Sequence, residues 1–227
     1  YRAALLIVFA MVFDMLDGRV ARMTKTQSAF GLQIDSLADV VSFGAAPALL
    51  VYQWTLHRLG LPGLIASFLF VALGAVRLAR FNVLSMGENG KPTKPSKYIV
   101  GLPIPGAAGI LVSIVVANHA ADSLIGKAEY AWTMLAVTGF LSFLMVSTIR
   151  FRSFKEVKLN LRTGLFVAFA VGSSVYISTT MKPAFVLVWL LGFYILLGIF
   201  ESLWQLPGRL MRRGDAGTPP VEPRTSA

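Results

Sequence analysis

Four aspartates stand within 26 residues: Asp14, Asp17, Asp35 and Asp39. The first pair is spaced i,i+3 and the second i,i+4, and on a helix either spacing puts both carboxylates on one face. Residues 18–27 form a short connection, so the two helices are expected to be antiparallel neighbours whose four carboxylates converge. Carboxylates brought together repel one another unless cations neutralise them. Hard divalent cations take oxygen ligands, and Mg²⁺ is usually held by a few carboxylates together with substrate phosphate. A two-metal centre is the simplest account of the cluster, whereas a helix cap needs one aspartate rather than two spaced pairs.

The residues between the pairs suit a phosphate ligand. Gly18 lets backbone approach a ligand closely. Arg22, one turn on, offers a bidentate phosphate contact. Gly31 lies one turn before Asp35 on the same face, where a small residue leaves room for a ligand or a neighbouring helix. Either glycine alone would equally suit helix packing.

The elements that carry these residues belong to a lipid-facing chain. Of 227 residues, 56% are apolar and only 14% charged, with a mean hydropathy of +0.68. This excludes an ordinary soluble domain and disorder. With no cysteine and two histidines, thiolate chemistry is excluded and a multi-histidine metal site disfavoured. The net charge of +10 is read as loops facing anionic lipid rather than as a nucleic-acid surface. Uncharged runs at 40–57, 59–76, 98–121, 130–149, 163–181 and 183–200 are each long enough to cross hydrocarbon as a helix. A shorter run at 3–13 spans only if its helix continues through Asp14 and Asp17. The expectation is an all-α integral membrane bundle of seven transmembrane helices over residues 1–205, with a disordered basic tail at 206–227. Fifteen Lys and Arg fall in the odd-numbered connections and the tail, and four at the opposite ends. The positive-inside rule puts the former, and with them the aspartates, on the cytoplasmic side of a bacterial or archaeal inner membrane.

The string Asp14-x2-Asp17-Gly18-x2-Ala21-Arg22-x8-Gly31-x3-Asp35-x3-Asp39 resembles, without a gap, the signature of the CDP-alcohol phosphatidyltransferases. Within that family, the run from Phe30 to Gly44, Ala79-Arg80-Phe81-Asn82 and Gly101-Leu102-Pro103-Ile104-Pro105 resemble the membrane-embedded branch whose acceptor is serine. The resemblance implies transfer of a phosphatidyl group from CDP-diacylglycerol to L-serine. It implies two divalent cations, Mg²⁺ or Mn²⁺ with Ca²⁺ a further option, on Asp14, Asp17, Asp35 and Asp39, and Asp39 also as general base. It implies CDP-diacylglycerol contacts at Gly18, Arg22, Ser28 and Gly31, and a homodimer. It also implies a further membrane helix ahead of the one bearing Asp14, which would make eight. The chain starts at Tyr1 rather than Met, and a missing first helix is the expectation.

An amino-acid acceptor brings a carboxylate that needs its own cation, so Arg80 and Asn82, with Arg77 one turn earlier, are expected to bind the acceptor or phosphate. His57 lies about 27 Å along the helix from Asp39, and with His119 it is assigned to the opposite interface. No covalent nucleophile is evident, so direct displacement is expected. The alternatives are the same chemistry on glycerol 3-phosphate or inositol phosphate, or a cation transporter. A transporter would place its carboxylates near the bilayer midplane beside broken helices; a membrane prenyltransferase would need a second aspartate cluster.

Overall fold

The computed structural model describes residues 1–24, 29–85, 98–120, 128–152, 161–180 and 183–204. The loop lysines Lys91, Lys94 and Lys97, Ser28 and the expected tail at 206–227 lie outside them. Helix α1 (Arg2–Met23) is one rod through Asp14, Asp17 and Gly18. It runs further than the expected connection at 18–27, because the residues after Gly18 favour helix and Thr24 closes it. The Thr24 hydroxyl and N–H both donate to the Val20 carbonyl, each at 2.9 Å.

The second rod has three parts: α2 (Ala29–Asp39), a π-helical stretch (Val40–Ala45) and α3 (Ala46–Trp54). The stretch lies just ahead of Pro47, which is buried in the first turn of α3. A proline inside a helix has no N–H and its ring collides with the carbonyl four residues earlier. A widened turn accommodates both, and such bulges gather at functional sites. Here the widening begins directly after Asp39.

There follow α4 (Leu61–Ser85), α5 (Ile104–Ala120), α6 (Ala131–Val146), α7 (Leu161–Thr180) and α8 (Ala184–Trp204). The described residues thus form seven helical rods. Two of these, Phe30–Trp54 and Leu61–Leu84, meet both the length and the apolarity needed to cross a membrane, and Ile104–Ala120, Ala131–Val146 and Ala184–Phe200 are shorter apolar helices. Large apolar side chains such as Leu6, Phe9, Phe68, Trp132 and Phe143 face outward, a surface suited to lipid rather than water.

One departure from the all-helical expectation is a two-stranded antiparallel ribbon, β1 (Tyr98–Val100) with β2 (Arg150–Arg152), pairing Tyr98 with Arg152 and Val100 with Arg150. The apolar run at 98–121 therefore starts as strand. Gly101 turns with φ +79°, and α5 begins only at Ile104.

Helix α5 lies at the centre and packs on α1, α3, α6 and α8. Its first residue, Ile104, is fully buried and lies between two glycines. A Cβ on Gly74 of α4 would come within 2.6 Å of Ile104 Cδ1, and one on Gly44 of the π stretch within 3.6 Å. The close approach of α4 to this point places Arg77, one turn past Gly74, beside the carboxylates of α2.

Candidate active site

Helices α1 and α2 bring Asp14, Asp17 and Asp35 together, with carboxylate oxygens all within 4.8 Å of one another. Asp14 is half-buried and the other two are exposed. At about 4 Å, two unit charges repel by roughly 4 kcal/mol at an effective dielectric near 20. The trio offers an all-oxygen donor set of the kind that a hard divalent cation takes. Asp39 stands apart from this trio, one turn deeper on α2. It interacts electrostatically with Asp14, Asp35 and Arg77, and its Oδ1 is buried without a hydrogen-bond partner. A buried, unpartnered carboxylate oxygen is costly, and it fits a position kept for a cation or a substrate proton.

A Cβ on Gly18 would meet nothing within 4 Å, so helix packing does not require this glycine, and Gly31 is exposed. Arg22 lies in the last turns of α1, with its side chain outside the described set.

The three residues expected to bind an acceptor part company. Arg77 is 6% exposed, its guanidinium carbon lies 5.3 Å from the centre of the Phe81 ring, and its Nε–H has no partner. It interacts with Asp39 and with Tyr194 of α8. Asn82 is 7% exposed. Its amide nitrogen donates to Ser36 Oγ at 2.8 Å and to Gln33 Oε1 at 3.4 Å, and its Oδ1 is buried and unpartnered. Ser36 in turn donates to the Leu32 carbonyl at 3.0 Å. Arg80 is engaged elsewhere, donating to the carbonyls of Val146 (2.9 Å), Ser147 (3.1 Å) and Val100 (3.2 Å).

Sequence reasoning overlooked Ser36, Gln33 and Tyr194. Ser36 had a legible signal: it follows Asp35 and lies i−3 from Asp39, on the helix face that α4 must cover. Tyr194 had none, since its approach depends on how α8 packs. The histidines lie where expected, away from the cluster. His57 is exposed beyond α3 with Nδ1 3.1 Å from the Tyr52 carbonyl, and His119 stacks on Tyr1 at 4.3 Å, at the end of α1 remote from Asp14.

A model of the family described as CDP-alcohol phosphatidyltransferase matches residues 1–150. The chain is 39% identical over 204 residues to a CDP-diacylglycerol–serine O-phosphatidyltransferase of Helicobacter pylori, covering 90% of this chain and 81% of that one. It is 46% identical over 107 residues to a protein of the same description from Methanocaldococcus jannaschii, covering 47% of each. It is 37% identical over 151 residues to an archaetidylserine synthase of Methanothermobacter thermautotrophicus, covering 66% of this chain and 57% of that one.

Proposed function

Because the chain belongs to the CDP-alcohol phosphatidyltransferase family, we propose that it transfers the phosphatidyl group of CDP-diacylglycerol to L-serine, releasing CMP. The observation that carries the choice of acceptor is the set of buried polar atoms left without partners on α2 and α4. Arg77 Nε–H is an unsatisfied donor, and Asp39 Oδ1 and Asn82 Oδ1 are unsatisfied acceptors. A zwitterionic amino acid supplies the complement: a carboxylate for the arginine, and ammonium and hydroxyl protons for the two oxygens. A sugar phosphate would bring dianionic charge and no ammonium. The relatives named above as serine or archaetidylserine enzymes support the same acceptor.

The chemistry assigned to each residue follows from its place. Asp39 takes the proton of the serine hydroxyl as that oxygen attacks the phosphorus bearing diacylglycerol. The new O–P bond forms as the bond to CMP breaks, and the electron pair leaves with CMP. Arg77 holds the acceptor carboxylate, and Asn82, braced by Ser36, accepts from its ammonium. Gly18 and Gly31 admit the pyrophosphate, with Arg22 and Ser28 as its polar contacts. Asp14, Asp17, Asp35 and Asp39 would hold two divalent cations, Mg²⁺ or Mn²⁺, which neutralise the pyrophosphate and the charge developing on CMP. In this reading all seven rods cross the membrane, the site opens to the cytoplasm, and the protein works as a homodimer.

The test supplies purified protein in mixed micelles with CDP-diacylglycerol, Mg²⁺ or Mn²⁺, and labelled serine, glycerol 3-phosphate or inositol phosphate. Serine-dependent CMP release with label in the lipid fraction is expected. Turnover with one of the phosphorylated acceptors and none with serine would overturn the assignment.

A further inference from the structure

The last turn of α6 ends in carbonyls that lack intrahelical donors. The Leu144 carbonyl accepts from the Leu102 N–H at 3.0 Å and from the Ser147 hydroxyl at 2.8 Å. Those of Val146 and Ser147 accept from Arg80. The same guanidinium reaches the carbonyl of Val100, at the end of β1. One planar fork on α4 thus joins the end of α6 to a strand 46 residues earlier, an arrangement for which arginine's fixed donor geometry is suited. Gly101 completes the joint. Its N–H donates to the Ile149 carbonyl at 2.8 Å. A Cβ there would stand 2.9 Å from Arg80 Nη2 and collide with the Met145 carbonyl.

Arg80 and Asn82 are two residues apart, so they project roughly 200° apart around α4. Arg80 meets α6 and the ribbon; Asn82 meets α2. Anchoring Arg80 sets the rotation of α4, and that rotation determines where Arg77, about 60° from Arg80 around the helix, and Asn82, on the opposite side, present their groups. We infer that Arg80 is a positioning residue: it clamps α4 to the end of α6 and to the turn at Gly101, and so holds Arg77 and Asn82 in register with Asp39. The kinetic consequence rests on the function proposed above; the clamp itself does not.

The experiment compares Arg80→Gln, Arg80→Lys, Gly101→Ala and the double variant Arg80→Gln with Gly101→Ala, all in detergent. Hydrogen exchange of the Gly101 and Leu102 amides needs no substrate. In Arg80→Gln it should quicken by roughly ten-fold or more, with α1 and α2 amides unchanged. Arg80→Lys keeps the charge without the fork and should fall between, giving a milder variant if Arg80→Gln does not fold. In CMP-release assays Gly101→Ala, which crowds Arg80 and the Met145 carbonyl at the joint and replaces none of the aspartates, Arg77 or Asn82, should reproduce the Arg80→Gln pattern of lowered kcat and raised serine KM. The double variant should be no worse than the poorer single one. Unchanged exchange in Arg80→Gln would overturn the clamp. Parent-like kcat and serine KM in Gly101→Ala, with full additivity in the double variant, would overturn positioning and return Arg80 to direct acceptor contact. If the parent protein ignores serine, the functional reading fails while the exchange result still decides the clamp.

Discussion

Replacing Arg77 by glutamine tests the acceptor reading where it is most exposed. Arg77 is 6% exposed, its charge lies over the Phe81 ring at 5.3 Å, and its Nε–H has no partner. Water therefore does not compete for the group, and a carboxylate that reaches it gains a charge-assisted hydrogen bond of about 1.5–3 kcal/mol net. Loss of that bond corresponds to a rise in the serine KM of roughly ten- to 150-fold. The KM for CDP-diacylglycerol should move little. The assay is CMP release at saturating lipid substrate with serine and, in parallel, with serinamide, which keeps the hydroxyl and ammonium but lacks the negative charge. The parent enzyme should disfavour serinamide by a factor similar to that lost on mutation. In Arg77→Gln the preference should collapse, because mutation and ligand each delete one half of the same pair. Thermal unfolding in the same detergent separates a loss of fold from a loss of binding. An equal penalty on both acceptors, with the fold intact, would refute the pairing of Arg77 with the carboxylate. A rise confined to the CDP-diacylglycerol KM would move Arg77 to the phosphates.

Three further outcomes are expected. Asp17→Asn or Asp35→Asn should nearly abolish CMP release and weaken Mn²⁺ binding measured by electron paramagnetic resonance; full turnover in excess chelator would contradict a metal role for the trio. Asp39→Asn should lower kcat by about 10²–10⁴ while the variant still unfolds at the parent temperature, and a fully active variant would remove Asp39 from proton transfer. Gly63→Ala would drive a methyl into the Leu56 carbonyl, so it should cost about 1–3 kcal/mol of stability, read as a lower Tm with an unchanged serine KM.

Within one helix, spacing alone dictates neighbours. The i,i+3 and i,i+4 aspartate pairs, the continuation of α1 through Asp14 and Asp17, and the seven helical rods were all legible from sequence, because 3.6 residues per turn and an apolar solvent leave few options. What lies across a helix was not legible. Arg77, Arg80 and Asn82 read as one acceptor motif, yet Asn82 projects well away from the other two, and Arg77 and Arg80, which share a face by their i,i+3 spacing, reach different partners, Asp39 and the end of α6. Only the packing of α4 against α6, α3 and the π-helical stretch decides which side faces the carboxylates. The same holds for Gly101, whose meaning depends on an α6 terminus more than forty residues away, and for the ribbon that joins Val100 to Arg150. It holds for Asp39 as well. Its spacing groups it with Asp35, but four residues of helical rise set it about 6 Å further along α2, outside the trio, and only the tertiary packing leaves one of its oxygens buried and unpartnered. Chain geometry sets contacts a few residues long, whereas contacts between distant segments depend on which helix faces the burial of Ile104, Gly44 and Gly74 brings together.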